Sequence, residues 1–312
     1  MTLEADEIVE RRRLKRSRSL WRFGAIAGLI LVVLIGSAPL GLAKFGLGAH
    51  VAKLSISGII FDDGDMIKAI DGIAKDESAK AVMVMVDSPG GTVTGSEAIY
   101  AALRRVAAKK PVIAVQGSLA ASGGYVVSLA ADHIIAGRNT ITGSIGVIMQ
   151  AVEISGLMQK LGVTVSEMKS APLKGEPSEF HPITPEARAA TQVLVADAYD
   201  WFVGLVAERR KLAPEAARSL GDGRVYSGRQ ALQEKLVDEL GDERTARAWL
   251  AAQNHIAENL PVREVDTRGD KGGFGSVRSR AFSALSVLLT GKALDSKPLT
   301  LDGLLAIWHP AL

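Results

Sequence analysis

Six consecutive apolar residues, Ala81-Val82-Met83-Val84-Met85-Val86, stop abruptly at Asp87-Ser88-Pro89-Gly90-Gly91. A strand with one face in water alternates apolar and polar residues. A run without alternation is buried on both faces, as in a parallel sheet covered by helices. Residues 111–116 form a second buried run, followed by Gly117. Between and around these runs, residues 51–60, 133–136 and 163–168 read as strands. Residues 66–74, 96–108 and 122–131 read as helices. Strand and helix alternating at short spacing indicate an α/β domain of parallel βαβ units. Downstream, residues 184–211 have the pattern of a long helix, and 214–220 and 228–235 of two short ones.

The N-terminal part follows different rules. Seven Lys/Arg residues lie between Arg11 and Arg22, which taken alone suggests a nucleic-acid arm. The next 21 residues, 23–43, carry no charge. As a helix they would be about 30 Å long, the thickness of a bilayer's hydrocarbon core. Dense positive charge before the segment and little after it place the N-terminus in the cytoplasm and the remainder outside. The expected organisation is a cytoplasmic basic segment at 1–22 and a single transmembrane anchor at 23–43. A catalytic domain at 51–260 and a linker and tail at 261–312 follow. Two features leave alternatives for the anchor: Gly41-Leu42-Ala43 has the small residues of a signal-peptidase site, and Pro39 would shorten the helix. A nucleic-acid partner is not expected.

The chain has no cysteine, so disulfides, thiol catalysis and thiolate metal sites are excluded. Its five histidines are scattered, and none has a partner at metal-ligand spacing. What remains is hydroxyl, carboxylate and amine chemistry. Three glycine-rich turns are candidates for it. The first, residues 87–91, has neither a dinucleotide fingerprint nor a P-loop, but consecutive glycines can turn backbone N–H groups into a cleft. The second is Ala120-Ala121-Ser122-Gly123-Gly124-Tyr125, a serine whose small neighbours let a carbonyl approach, at the start of a helix. Its plain reading is a helix N-cap. The third, Ile141-Thr142-Gly143-Ser144-Ile145-Gly146-Val147, offers Ser144 as a hydrogen-bonding partner for an amine.

A serine nucleophile needs a base. Neither His133, 11 residues after Ser122, nor His181, in a Pro-flanked loop, has a convincing Asp orienter. A lysine serves if its amine is neutral. Lowering a lysine from about 10.4 to about 7–8 amounts to roughly 3–5 kcal/mol, which burial away from carboxylates supplies. Lys174 and Lys169 are the two candidates, and the residues alone do not choose between them.

The ordered set of motifs resembles the signal peptide peptidase A family, in its short single-domain form. It comprises residues 87–91, 120–125, Thr140-Ile141-Thr142-Gly143-Ser144-Ile145-Gly146-Val147 and Lys169-Ser170 ahead of Lys174. It continues in Gly223-Arg224-Val225-Tyr226-Ser227-Gly228 and Leu236-Val237-Asp238-Glu239-Leu240-Gly241. The resemblance implies Ser122 as nucleophile, Lys174 as general base and Ser144 as the residue orienting the lysine. It also implies Gly91 and Gly123 as oxyanion-hole donors. The implied fold is the crotonase and Clp protease superhelix of βαβ units. The implied assembly is a homo-oligomeric ring with its active sites facing inward; that ring formation completes the site is a separate expectation. The expected function is a serine endopeptidase of the bacterial cytoplasmic membrane that degrades remnant signal peptides and similar apolar peptides without metal or cofactor. Three alternatives remain at this stage: an envelope quality-control or membrane-protein-cleaving protease of the same family, a crotonase-like acyl-CoA enzyme, and a non-catalytic scaffold.

Overall fold

The computed structural model describes residues 48–267 and the backbone of residues 305–307. The expected basic segment at 1–22 and anchor at 23–43 lie outside the described residues, as does most of the expected tail. No helix among the described residues is long and apolar enough to cross a membrane.

Strand β1 (His50–Ile60) leads to α1 (Gly64–Lys75), whose N-terminus Asp63 caps by accepting the N–H groups of Asp65 and Met66. Strand β2 (Ala79–Thr92), α2 (Val93–Ala107) and β3 (Val112–Ala121) complete two βαβ units, and β1, β2 and β3 pair in parallel. The remaining elements are α3 (Gly123–Ser128), β4 (His133–Ala136), β5 (Ile141–Gly143), α4 (Ser155–Lys160), α5 (Pro185–Arg210) and α6 (Pro214–Leu220). They continue with β6 (Val225–Ser227), α7 (Gly228–Gln233), β7 (Glu239–Leu240), α8 (Glu243–Asn254), β8 (Val262–Glu264) and β9 (Leu305–Ile307). The main path of the mixed sheet runs β6-β5-β3-β2-β1-β8, with β4 beside β3, β7 beside β4, and β9 beside β2.

The missing alternation in β2 and β3 is explained by what covers them. Val82, Val84, Val112 and Ala114 face Ile99 and Leu103 of α2, Tyr125 of α3 and Phe202 of α5. Met83, Ile113 and Val115 face Ala246 and Leu250 of α8 on the opposite side. Each fully buried Val or Ile of this kind contributes about 1.5–3 kcal/mol.

The far edge of β3 is shared. Its first half, Ile113 to Gln116, pairs with β4, and its end, Leu119 to Ala121, pairs with β5. The sheet therefore forks at Gly117, and the strand that continues past the fork ends beside Ser122.

Two expectations are corrected. Residues 87–91 are not a turn: β2 runs through them, with irregular register at Val86/Ser88 and Ser57/Ile59. Gly90, at φ 107°, takes a backbone conformation that a side chain would resist, so the bend is absorbed as a bulge. Residues 163–168 form no strand. Their alternation is real, but no neighbouring strand pairs with them, and Val163, Val165 and Met168 are exposed. The sheet also takes strands from beyond residue 260, namely β8 on β1 and β9 on β2.

Candidate active site

Ser122 joins β3 to α3 at φ 55° and ψ −117°, a region that non-glycine residues occupy only when their surroundings hold them there. Its N–H donates to the Gly143 carbonyl at 2.8 Å, and its own carbonyl accepts from Tyr125 and Val126 at 2.9 and 3.0 Å. The residue stands at the N-cap position, yet its side chain makes no capping bond. The helix-cap reading therefore fails: the hydroxyl is placed by a strained strand-to-helix apex, the device that presents a nucleophile.

The small neighbours have a steric cause. A side-chain carbon on Gly124 would stand 2.8 Å from the Ser88 carbonyl oxygen, so α3 lies directly on β2. The N–H groups of Gly123 and Gly124 precede the first bond of the helix and are its leading donors. Behind them Tyr125 is fully buried and donates its hydroxyl to the Leu236 carbonyl at 2.8 Å. Burial pushes its phenol above the ordinary value, so it remains a neutral donor.

Ser144 lies on the adjacent turn at φ 49°, after Gly143 at φ 81°. Its N–H donates to the Arg224 carbonyl at 2.9 Å. Because Gly143 accepts the Ser122 N–H, the two serine turns are hydrogen-bonded neighbours. A side-chain carbon on Gly143 would come within 2.6 Å of the Tyr226 ring, which explains a glycine there beyond its positive φ. Three supporting hydroxyls were not singled out from the sequence. Thr142 donates to Ala120 at 2.8 Å and Thr140 to Gly117 at 2.6 Å, lacing the third turn to β3. Ser88 donates to Gly58 at 2.6 Å and accepts the Gly90 N–H at 3.0 Å, fixing the bulge that leads to Gly91. The available signal was the position of Thr140 and Thr142, two apart and on one face ahead of Gly143.

Gly91 itself is wedged against β1, where any side chain would overlap the Ile60 carbonyl. The strand stretch carrying Gly91, the Ser122 turn with Gly123 and the Ser144 turn are thus packed together. Lys174 is not among them. It sits exposed in a turn whose N–H bonds Ala171, and among the described residues no hydrogen bond or ion pair joins it to Ser122 or Ser144.

The rival lysine, Lys169, has two acidic neighbours that weigh against its acting as a base. Lys169 Nζ is 2.8 Å from Glu167 and 2.7 Å from Glu176. The hydrogen bonds it donates to Glu167 first, then to Glu176, push its amine above the ordinary lysine value and favour its protonated form. The histidines are also engaged elsewhere. His133 bonds Glu239 at 3.2 Å and stacks on Trp249, and His181 lies 3.2 Å from Glu176.

Residues 104–257 match the model of peptidase family S49. Two relatives with provisional protease names are 38% identical over 203 residues in Synechocystis sp. and 36% identical over 270 residues in Methanocaldococcus jannaschii. The first alignment covers 64% of this chain and 73% of the relative, the second 79% and 86%. An Enterococcus faecium relative, provisionally named signal peptide peptidase SppA, is 34% identical over 242 residues, covering 72% of this chain and 69% of its own length. The chain belongs to peptidase family S49. It is a serine peptidase of the signal peptide peptidase A family, and the mixed α/β sheet of the S49 domain is consistent with a Clp protease-like peptidase.

Proposed function

We propose that Ser122 is the nucleophile and Lys174 the general base of a membrane-anchored endopeptidase that degrades remnant signal peptides and similar apolar peptides. The observation that carries the nucleophile is the strained, uncapped Ser122 apex held to Gly143. Ser122 Oγ attacks the scissile carbonyl, and Lys174 Nζ takes its proton and later delivers it to the leaving amine. Water then hydrolyses the acyl-enzyme. The N–H groups of Gly91 and Gly123 receive the developing oxyanion, and the Ser144 hydroxyl orients the lysine amine.

A lysine works as a base only as a neutral amine, and burial away from carboxylates provides that. In the single chain Lys174 is exposed. A homo-oligomeric ring would bury it and complete the site. In support, Ile148, Val152, Leu157, Leu161, Val163 and Met168 all present apolar side chains to solvent ahead of it, a concentration that marks a contact surface. In this reading residues 23–43 anchor the chain in the bacterial cytoplasmic membrane with the catalytic domain outside the cytoplasm.

Purified wild-type, Ser122→Ala and Lys174→Ala proteins assayed on an apolar signal-peptide fragment test the mechanism. Ser122→Ala abolishes turnover, and Lys174→Ala lowers kcat by about 100- to 10,000-fold, the range for loss of a general base. Undiminished hydrolysis by either variant sinks it.

A further inference from the structure

Between α4 and α5, residues 161–184 form neither helix nor strand. From Leu161 to Gly175 every residue except Lys169 is exposed. The stretch therefore buries no apolar core of its own to offset the entropy of fixing its backbone. What encloses it is polar. Lys169 Nζ meets Glu167 at 2.8 Å, Glu176 at 2.7 Å and His181 Nε2 at 3.4 Å. An ammonium has three N–H donors, and here three acceptors surround them. His181 Nδ1 faces the Pro182 carbonyl at 3.1 Å, a group that can only accept. With its proton on Nδ1, the neutral ring turns the Nε2 lone pair to Lys169. Ser178, itself buried, donates to Glu167 at 3.3 Å and accepts the Phe180 N–H at 3.2 Å. The Glu176 side chain is 5% exposed, and its second oxygen has no hydrogen-bond partner among the described residues. A carboxylate buried in this way depends on its cation, because removing Lys169 would leave its charge uncompensated.

The acceptors come from both sides of one turn. Glu167 precedes it, Glu176 and His181 follow it, and residues 170–175 between them carry Lys174. The Lys169–Glu176 bond spans the neck of that turn. Within it, Lys174 donates its N–H to Ala171 at 3.1 Å, and Glu176 donates to Leu173 at 3.3 Å. We propose that Lys169, Glu167, Glu176 and His181 form a polar clasp that closes the neck of the 170–175 turn and positions Lys174 for catalysis. Lys169 is a positioning residue: its ammonium acts through the backbone that it ties, and the side chain of Lys174 takes no part in the cluster. The clasp keeps an exposed turn in one shape. Burial of Lys174 then requires the docking of a formed turn rather than the folding of a loose one. The positioning role rests on the reading of Lys174 as general base; the clasp itself does not.

Two substitutions test it. Lys169→Met removes the cation, whereas Glu176→Gln removes the buried charge instead of stranding it, so the two stress the fold in different ways. Millisecond hydrogen exchange on the full-length protein reads the clasp through the bonded amides of Lys174 and Glu176. Both amides are expected to exchange faster in each variant, with β2 and β3 as protected as in the parent. On an apolar signal-peptide fragment, kcat is expected to fall by about 10- to 100-fold, the loss that a small misplacement brings, with KM little changed. In a Lys174→Ala background the same Lys169→Met change is expected to add no further loss, since no base is left to position. Unchanged exchange in both variants overturns the clasp. Faster exchange that spreads through β2 and β3 in both makes the cluster a support of the whole fold and overturns the local role. Faster exchange with undiminished kcat, or an equal fold-loss in the Lys174→Ala background, overturns the positioning of Lys174. Full activity of Lys174→Ala itself refutes the base reading and leaves the clasp, read by exchange, standing.

Discussion

Ser122 shows how a backbone can be held in an unfavourable state by its neighbours. Its left-handed φ costs about 1–3 kcal/mol, and the bonds to Gly143, Tyr125 and Val126 hold it there. Glycine removes that strain, at a cost of about 0.5–1 kcal/mol in chain entropy. The strain is the larger of the two. Ser122→Gly is therefore expected to be more stable than Ser122→Ala by about 1 kcal/mol, seen as a higher thermal midpoint. Equal midpoints, or a more stable alanine variant, would mean that the turn is not strained. Lys169 shows how a neighbourhood fixes a charge. Two carboxylates favour its charged form, which weighs against Lys169 as a base, while the role of Lys174 belongs to the proposed mechanism. Glu167 and Glu176 were visible in the sequence, but nothing in their spacing shows that both reach the same amine.

At the scale of elements, α8 carries a pH dependence. Asp242 accepts the N–H groups of Arg244 and Thr245 in a capping box. The Arg244 N–H first, then that of Thr245, hold its carboxyl below the usual range. A carboxyl depressed in the folded state stabilises above its unfolded value near about 4, and that stabilisation is lost as pH falls through the folded value. Asparagine caps about as well but does not titrate there. Wild type is thus expected to lose thermal stability relative to Asp242→Asn as pH drops below about 4, and parallel midpoint curves would contradict this. The elements differ in how far the sequence shows them. The buried runs of β2 and β3 are legible because burial on both faces leaves a compositional mark. Helix α5 is legible from its Thr184 cap and Pro185 start. The bulge at Gly90 reads as a turn because glycine and proline mark both. Strands β8 and β9, three residues each, exist through distant partners and leave no local pattern. Residues 163–168 carry the opposite lesson: a strand-like alternation without a strand beside it.

At the scale of the whole molecule, exposed apolar side chains concentrate between Ile148 and Phe180. The proposed ring gives them a cover and gives Lys174 its burial. Leu161→Asp places a charge in the middle of this surface, where Leu161 is 68% exposed in the single chain. The expected result is a folded monomer by size-exclusion chromatography, with an unchanged thermal midpoint and no peptidase activity. An active monomer would show that one chain suffices. The wedging of Gly91 against Ile60 bears on selectivity. No residue other than glycine fits there, so at residue 91 the strand presents main chain alone. Recognition by main chain is indifferent to the order of side chains along the peptide. A peptide held in this way is free to vary in sequence, and proline, which cannot return the bond, is the residue such recognition excludes.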